Sequence, residues 1–125
     1  MAGTTSLEGV RVLIVEDEYL IADDLAAALK KAGGETVGPV STVSQAEELL
    51  RQRPVDAAIV DFNLRGEMAE KFIEKLAATR LPCLIVSGYG SDALPESVGD
   101  VPRLEKPVSA ASVLRALSSE LVRAD

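Results

Sequence analysis

The 125-residue chain contains no histidine. That absence removes Ser/His/Asp and Cys/His catalytic sets, His-ligated metal sites and any phosphohistidine carried on the chain itself. A single cysteine, Cys83, excludes an internal disulfide and a cysteine-based zinc site. Its neighbours Pro82, Leu84, Ile85 and Val86 predict a buried, inert thiol. No apolar run approaches the roughly 18 residues that a membrane-spanning helix needs. The opening MAGTTSLEG has neither the basic nor the apolar region of a secretory signal, so a cytoplasmic location is expected. Positive charge is scarce too. Thirteen Lys and Arg against twenty Asp and Glu leave a net charge of −7, which disfavours direct nucleic-acid binding. Acid, base or nucleophilic chemistry is left to carboxylates, hydroxyls and lysines.

What is present is enough apolar material for a core: 47% apolar and 26% charged residues, in a length that suits one domain. The pattern starts after a tail at 1–9, so the folded domain is expected over 10–123. Short runs of branched residues alternate with helix-like stretches. Arg11 to Val15 reads as a buried strand. A helix follows that places Ile21, Leu25, Ala28, Leu29 and Ala32 on one face and stops at Gly33 and Gly34. Thr36 to Val40 reads as a second strand, Ser44 to Arg51 as a helix, and Ala57 to Val60 as a third strand. Glu67 to Ala78 is expected as the third helix, with Met68, Phe72, Ile73 and Leu76 inward and Glu67 paired to Lys71. Pro82 to Val86 is a fourth strand and Arg103 to Glu105 a fifth, leading to a last helix capped by Ser109. Between them, Ser87 to Arg103 carries Gly88, Gly90, Pro95, Gly99 and Pro102, so its helix must be short or irregular.

Strands one, three and four are almost wholly apolar and belong in the centre of a parallel sheet. Pro39 in strand two and the charged fifth strand belong at the edges. The order 2-1-3-4-5 follows, a doubly wound α/β fold of flavodoxin-like type whose site lies at the carboxyl ends of strands one and three. At that edge stand Glu16 and Asp17 after strand one, Asp61 after strand three, Ser87 after strand four and Lys106 after strand five. Clustered carboxylates require a proton or a hard cation, and oxygen donors suit Mg²⁺. A lysine and a hydroxyl beside them fit a phosphoryl group.

With these residues, the segments VLIVEDE (12 to 18), AAIVDFNLRG (57 to 66), LIVSGY (84 to 89) and LEKPV (104 to 108) resemble the receiver domain of two-component response regulators. The resemblance runs from Val12 to about Leu121. It implies that Asp61 is the phosphoacceptor, that Glu16, Asp17, Asp61 and the backbone carbonyl of Asn63 hold Mg²⁺, that Ser87 is the switch hydroxyl and that Lys106 is the phosphate partner. It also implies a cis bond between Lys106 and Pro107. Such a protein is a phosphoacceptor rather than an enzyme acting on a separate substrate. Its donor is a histidine kinase or histidine phosphotransfer protein, and its output is an unknown protein target. Arg103 stands where most receivers carry Tyr or Phe, with Tyr89 a candidate substitute, and Gly88 stands where Ala is common.

Two further expectations concern surfaces. The donor should dock over the first helix on Tyr19, Ala22, Asp23 and Ala26. The signal should leave through Ser87 into the segment 88–102. Two competing readings are a Mg²⁺-dependent phosphatase with Asp61 as nucleophile and a non-phosphorylated interaction module. The first lacks a second aspartate two residues on, where Asn63 stands.

Overall fold

The computed structural model describes residues 7–64, 66–88 and 95–124. In chain order the elements are β1 (Arg11–Val15), α1 (Tyr19–Lys31), β2 (Glu35–Val40), α2 (Val43–Gln52), β3 (Ala57–Asp61), β4 (Asn63–Leu64), β5 (Glu67–Met68), α3 (Glu70–Ala78), β6 (Cys83–Ser87), a 3-10 turn at Glu96–Val98, β7 (Arg103–Glu105) and α4 (Ala110–Ala124). Five strands form a parallel sheet in the order β2-β1-β3-β6-β7, so the expected centre and edges are both observed.

Successive residues of each central strand face opposite sides, and both sides are apolar. Val12, Ile14, Ala57, Ile59, Leu84 and Val86 pack with Leu25 and Leu29 of α1 and Val113, Leu114 and Leu117 of α4. The alternate residues Leu13, Val15, Ala58, Val60, Cys83 and Ile85 pack with Ala46 of α2 and Phe72, Ile73 and Leu76 of α3. Full burial of one such Ile or Leu stabilises the fold by roughly 1.5–3 kcal/mol. Cys83 is buried as expected, and burial pushes its thiol up to about 12. Leu7, within the expected tail, is 2% exposed and belongs to the α1–α4 side of the core. No described helix is long and apolar enough to cross a membrane.

The helix ends follow from local chemistry. After α1, the Gly33 N–H donates to Lys30 O and the Gly34 N–H to Leu29 O, with Gly33 at φ +92°. This is a Schellman stop, and its left-handed residue favours glycine. Arg80 ends α3 in the same way at φ 62°. Ser109 caps α4 by accepting the Ser112 N–H at 3.1 Å.

Two expectations are corrected. The third helix begins at Glu70 rather than Glu67, because Glu67–Met68 pairs antiparallel with Asn63–Leu64 across a turn at Gly66, φ +91°. The extended backbone of Glu67–Met68 lies outside the helix, so the helical spacing expected for these two residues does not apply. On α1, Ala22 is 5% exposed and therefore faces protein, and Ala26 is half-buried. The open face carries Tyr19, Leu20, Asp23, Asp24 and Ala27. Between β6 and β7 the described residues hold only the 3-10 turn, in line with a short or irregular helix. Tyr89 lies outside the described residues.

Candidate functional site

The central strands deliver their last residues to one edge, and the chain leaving β7 closes over them. Asp61 ends β3 with 4% exposure. Its Oδ1 accepts the Asn63 N–H at 3.0 Å, and its Oδ2 accepts Lys106 Nζ at 2.9 Å. Glu16 follows β1, held by its N–H donating to Val40 O of β2 at 2.9 Å. Its Oε2 accepts the Glu18 N–H at 3.1 Å and Lys106 Nζ at 3.2 Å. Lys106 is itself placed by its backbone N–H, which donates to Ser87 O at 2.6 Å, and the Lys106–Pro107 bond is cis.

One carboxylate oxygen from each of Glu16, Glu18 and Asp61 lies within 4.8 Å of the others. Burial, and next the charge of Asp61, push Glu16 up to about 7 against the pull of the Glu18 N–H and Lys106. For Lys106, burial works against the charged form. Hydrogen bonds to Glu18 and Asp61 and the charges of Asp61 and Glu16 outweigh it, and the ammonium is held above its usual range. Ser87 at the end of β6 is 5% exposed, and its Oγ is buried with no hydrogen-bond partner among the described residues. A buried hydroxyl without a partner is unfavourable by about 1–3 kcal/mol, so this one stands ready for an acceptor. Among the described residues the donor set is all oxygen, with no nitrogen or sulfur ligand, and Lys106 sets one positive charge against three carboxylates. Those features fit Mg²⁺.

Glu16, Asp61 and Lys106 are thus in direct contact, with Ser87 on the neighbouring strand end. Asn63 supplies its N–H to Asp61, while its side-chain Oδ1 accepts the Gly66 N–H at 2.8 Å. Asp17 is half-buried beside them but is not among the three clustered carboxylates; Glu18 is. Glu18 was missed, although its spacing carries a signal. Its backbone is still extended at φ −88° and ψ 109°, and residues two apart in an extended chain share a face. Beside the site a groove of about 680 Å³ runs between α1 and the start of α4, lined by Ile21, Leu25, Val108 and Val113, with Glu18 and Lys106 also on its wall.

The sequence model for the response regulator receiver domain matches residues 12–118. The transcriptional regulatory protein PdtaR of Mycobacterium tuberculosis is 30% identical over 117 residues, covering 90% of this chain and 57% of that protein. The sensor protein TorS of Escherichia coli is 27% identical over 74% of this chain and 10% of its own length. Among solved structures, SdrG of Sphingomonas melonis Fr1 superposes with a TM-score of 0.77 at 37% identity, over 91% of this chain and 97% of that one. The receiver domain of the TMAO respiratory regulator TorR reaches 0.80 at 21% identity, covering 93% and 99% of the two chains, a likeness of fold. A match that leaves only short ends outside it settles the kinship: the chain belongs to the response regulator receiver domains of two-component signalling.

Proposed function

We propose that Asp61 accepts a phosphoryl group from a phosphohistidine on a partner kinase or phosphotransfer protein, and that residues 10–123 act as the receiver unit in the cytoplasm. The observation that carries this reading is Asp61 at a strand end with Lys106 Nζ at 2.9 Å and the unpartnered Ser87 hydroxyl at the next strand end. In the transfer, the phosphorus–nitrogen bond of the donor breaks as a carboxylate oxygen of Asp61 bonds to phosphorus, and the imidazole nitrogen keeps the electron pair. Lys106 offsets charge on the phosphoryl oxygens, and the Ser87 hydroxyl donates to one of them in the product. Glu16, Asp17 and Asp61, with the Asn63 carbonyl, are the residues to hold Mg²⁺, which supplies neutralising charge at the same oxygens.

The donor's docking face is the exposed start of α1, where Tyr19 and Leu20 are 79% and 75% exposed, together with the adjoining groove. Output runs from Ser87 into the chain that follows it. The test is Mg²⁺-dependent labelling by acetyl phosphate. Base-labile label is expected on the wild type and none on Asp61→Asn, because the change removes the nucleophile and little volume. Label that persists in Asp61→Asn would refute the assignment.

A further inference from the structure

We propose that Glu18 is a positioning residue that engages Lys106 in the unphosphorylated state and competes with the phosphoryl group for it, so setting the balance between the two states. The inference rests on Asp61 being the phosphoacceptor. An ammonium has three N–H donors and no acceptor. Lys106 Nζ lies 2.9 Å from Asp61 Oδ2, 2.9 Å from Glu18 Oε1 and 3.2 Å from Glu16 Oε2. All three donors are engaged, so a phosphoryl oxygen gains Lys106 only when a carboxylate gives it up.

The three carboxylates differ in how readily they can do so. On phosphorylation Asp61 gives up its carboxylate charge, and its bond to Lys106 passes to a phosphoryl oxygen, toward which the ammonium must shift; the Glu16 side chain, 2% exposed, would be left by such a shift as a buried charge that water cannot reach. That of Glu18 is 59% exposed, so water takes the place of the ammonium. Glu18 is therefore the contact that yields.

The local structure points the same way. Glu18 occupies the N-cap position of α1, yet its side chain makes no capping hydrogen bond, whereas Thr42 before α2 accepts the Gln45 N–H at 3.1 Å. Ser, Thr, Asp and Asn are the residues that serve a helix start. The Glu18 carboxylate instead reaches a lysine 88 positions away. Its charge also opposes an incoming phosphoryl group, so both effects of Glu18 favour the unmodified form.

The test uses beryllofluoride as the phosphoryl mimic, at Mg²⁺ concentrations that saturate each protein. Glu18→Ala should bind it about 1.4- to 5-fold more tightly than the wild type, the range that exposed ion pairs contribute. Glu18→Gln should lie between the two, because its amide oxygen still accepts. The difference should shrink as salt rises from about 0.05 M to about 0.5 M, since screening weakens an exposed pair. A purely structural role for Glu18 predicts no such convergence. Equal or weaker beryllofluoride binding in Glu18→Ala overturns the proposal. A more than roughly tenfold loss of Mg²⁺ affinity in Glu18→Gln overturns it as well, because Glu18 would then be a metal ligand. Asp61→Asn is measured alongside: binding that survives there refutes the phosphoacceptor reading itself, while Asp61-dependent binding that ignores Glu18 refutes only its role on Lys106.

Discussion

Replacing Glu16 by Gln should stabilise the metal-free protein, and by an amount that depends on pH. Glu16 sits at about 7 in the fold against an ordinary 4.5, chiefly because it is buried. The folded state therefore holds a proton that the unfolded chain releases earlier. The stability tied to that proton is fully present below pH 4.5 and is lost as pH rises to about 7 and beyond. At about 1.36 kcal/mol for each tenfold change in proton affinity, the loss amounts to about 3 kcal/mol by pH 8. Gln keeps the length and an oxygen to accept the Glu18 N–H, but it has no proton to lose. Urea unfolding in EDTA at a series of pH values measures the effect. The two proteins should be nearly equally stable at about pH 4.5, with the variant ahead by about 3 kcal/mol at pH 8, a midpoint difference of about 1–2 M urea. Excess Mg²⁺ should reverse the order at high pH, since it binds and stabilises the wild type through the same carboxylate. Parallel pH profiles for the two proteins without metal would refute the argument.

Ser87→Ala should leave urea stability unchanged or raise it by about 1 kcal/mol, because it deletes a buried hydroxyl with no partner among the described residues. A clear loss of stability would mean that the hydroxyl is bonded in the unmodified protein. Arg80→Gly should raise Tm by about 2–4 °C in a thermal scan, since Arg80 holds φ 62° at the end of α3 and glycine takes that conformation without a side-chain clash. No change would indicate that lost chain entropy cancels the relief. Cys83, 5% exposed with its thiol pushed up to about 12, should resist alkylation at pH 8 until the chain is unfolded. Rapid labelling in native buffer would contradict its burial.

The parts of the fold that could be read from the chain are those where one physical signal acts alone. Strands covered on both faces must be apolar throughout, so Val12 to Val15 and Ala57 to Val60 declare themselves, and Pro39 marks an edge. The short hairpin escaped because two signals conflict. Glu67, Met68 and Ala69 are good helix formers contiguous with α3, and local preference favours extending the helix backwards. Tertiary pairing wins instead. The Asn63 side chain accepts the Gly66 N–H, Gly66 turns with positive φ, and the chain returns against Asn63–Leu64 before the helix starts. At the site, strand termini located Glu16, Asp61, Ser87 and Lys106 because an open parallel sheet collects its strand ends at one edge. Which acid of Glu16, Asp17 and Glu18 meets the lysine depends on where the extended chain bends into α1, and composition does not carry that angle. Ala22 illustrates the same limit: an alanine suits either side of a helix, and only the packing decides.

The two layers of helices differ in how far apart in the chain their members lie. On one face α2 and α3 are neighbours in sequence, separated by a single central strand and the small hairpin. On the other face the apolar row from Val12 to Val86 is covered by α1, near the beginning, and by α4, made of Ala110–Ala124. During synthesis the first layer can close while the second still lacks half its cover, since contacts between distant segments form last. A chain halted before residue 110 would present Ile14, Ile59, Leu84 and Val86 without Val113, Leu114 and Leu117. Quality control would meet that exposed row as the mark of an unfinished molecule, and the arrival of α4, rather than phosphorylation, would be the first event to bring this receiver into being.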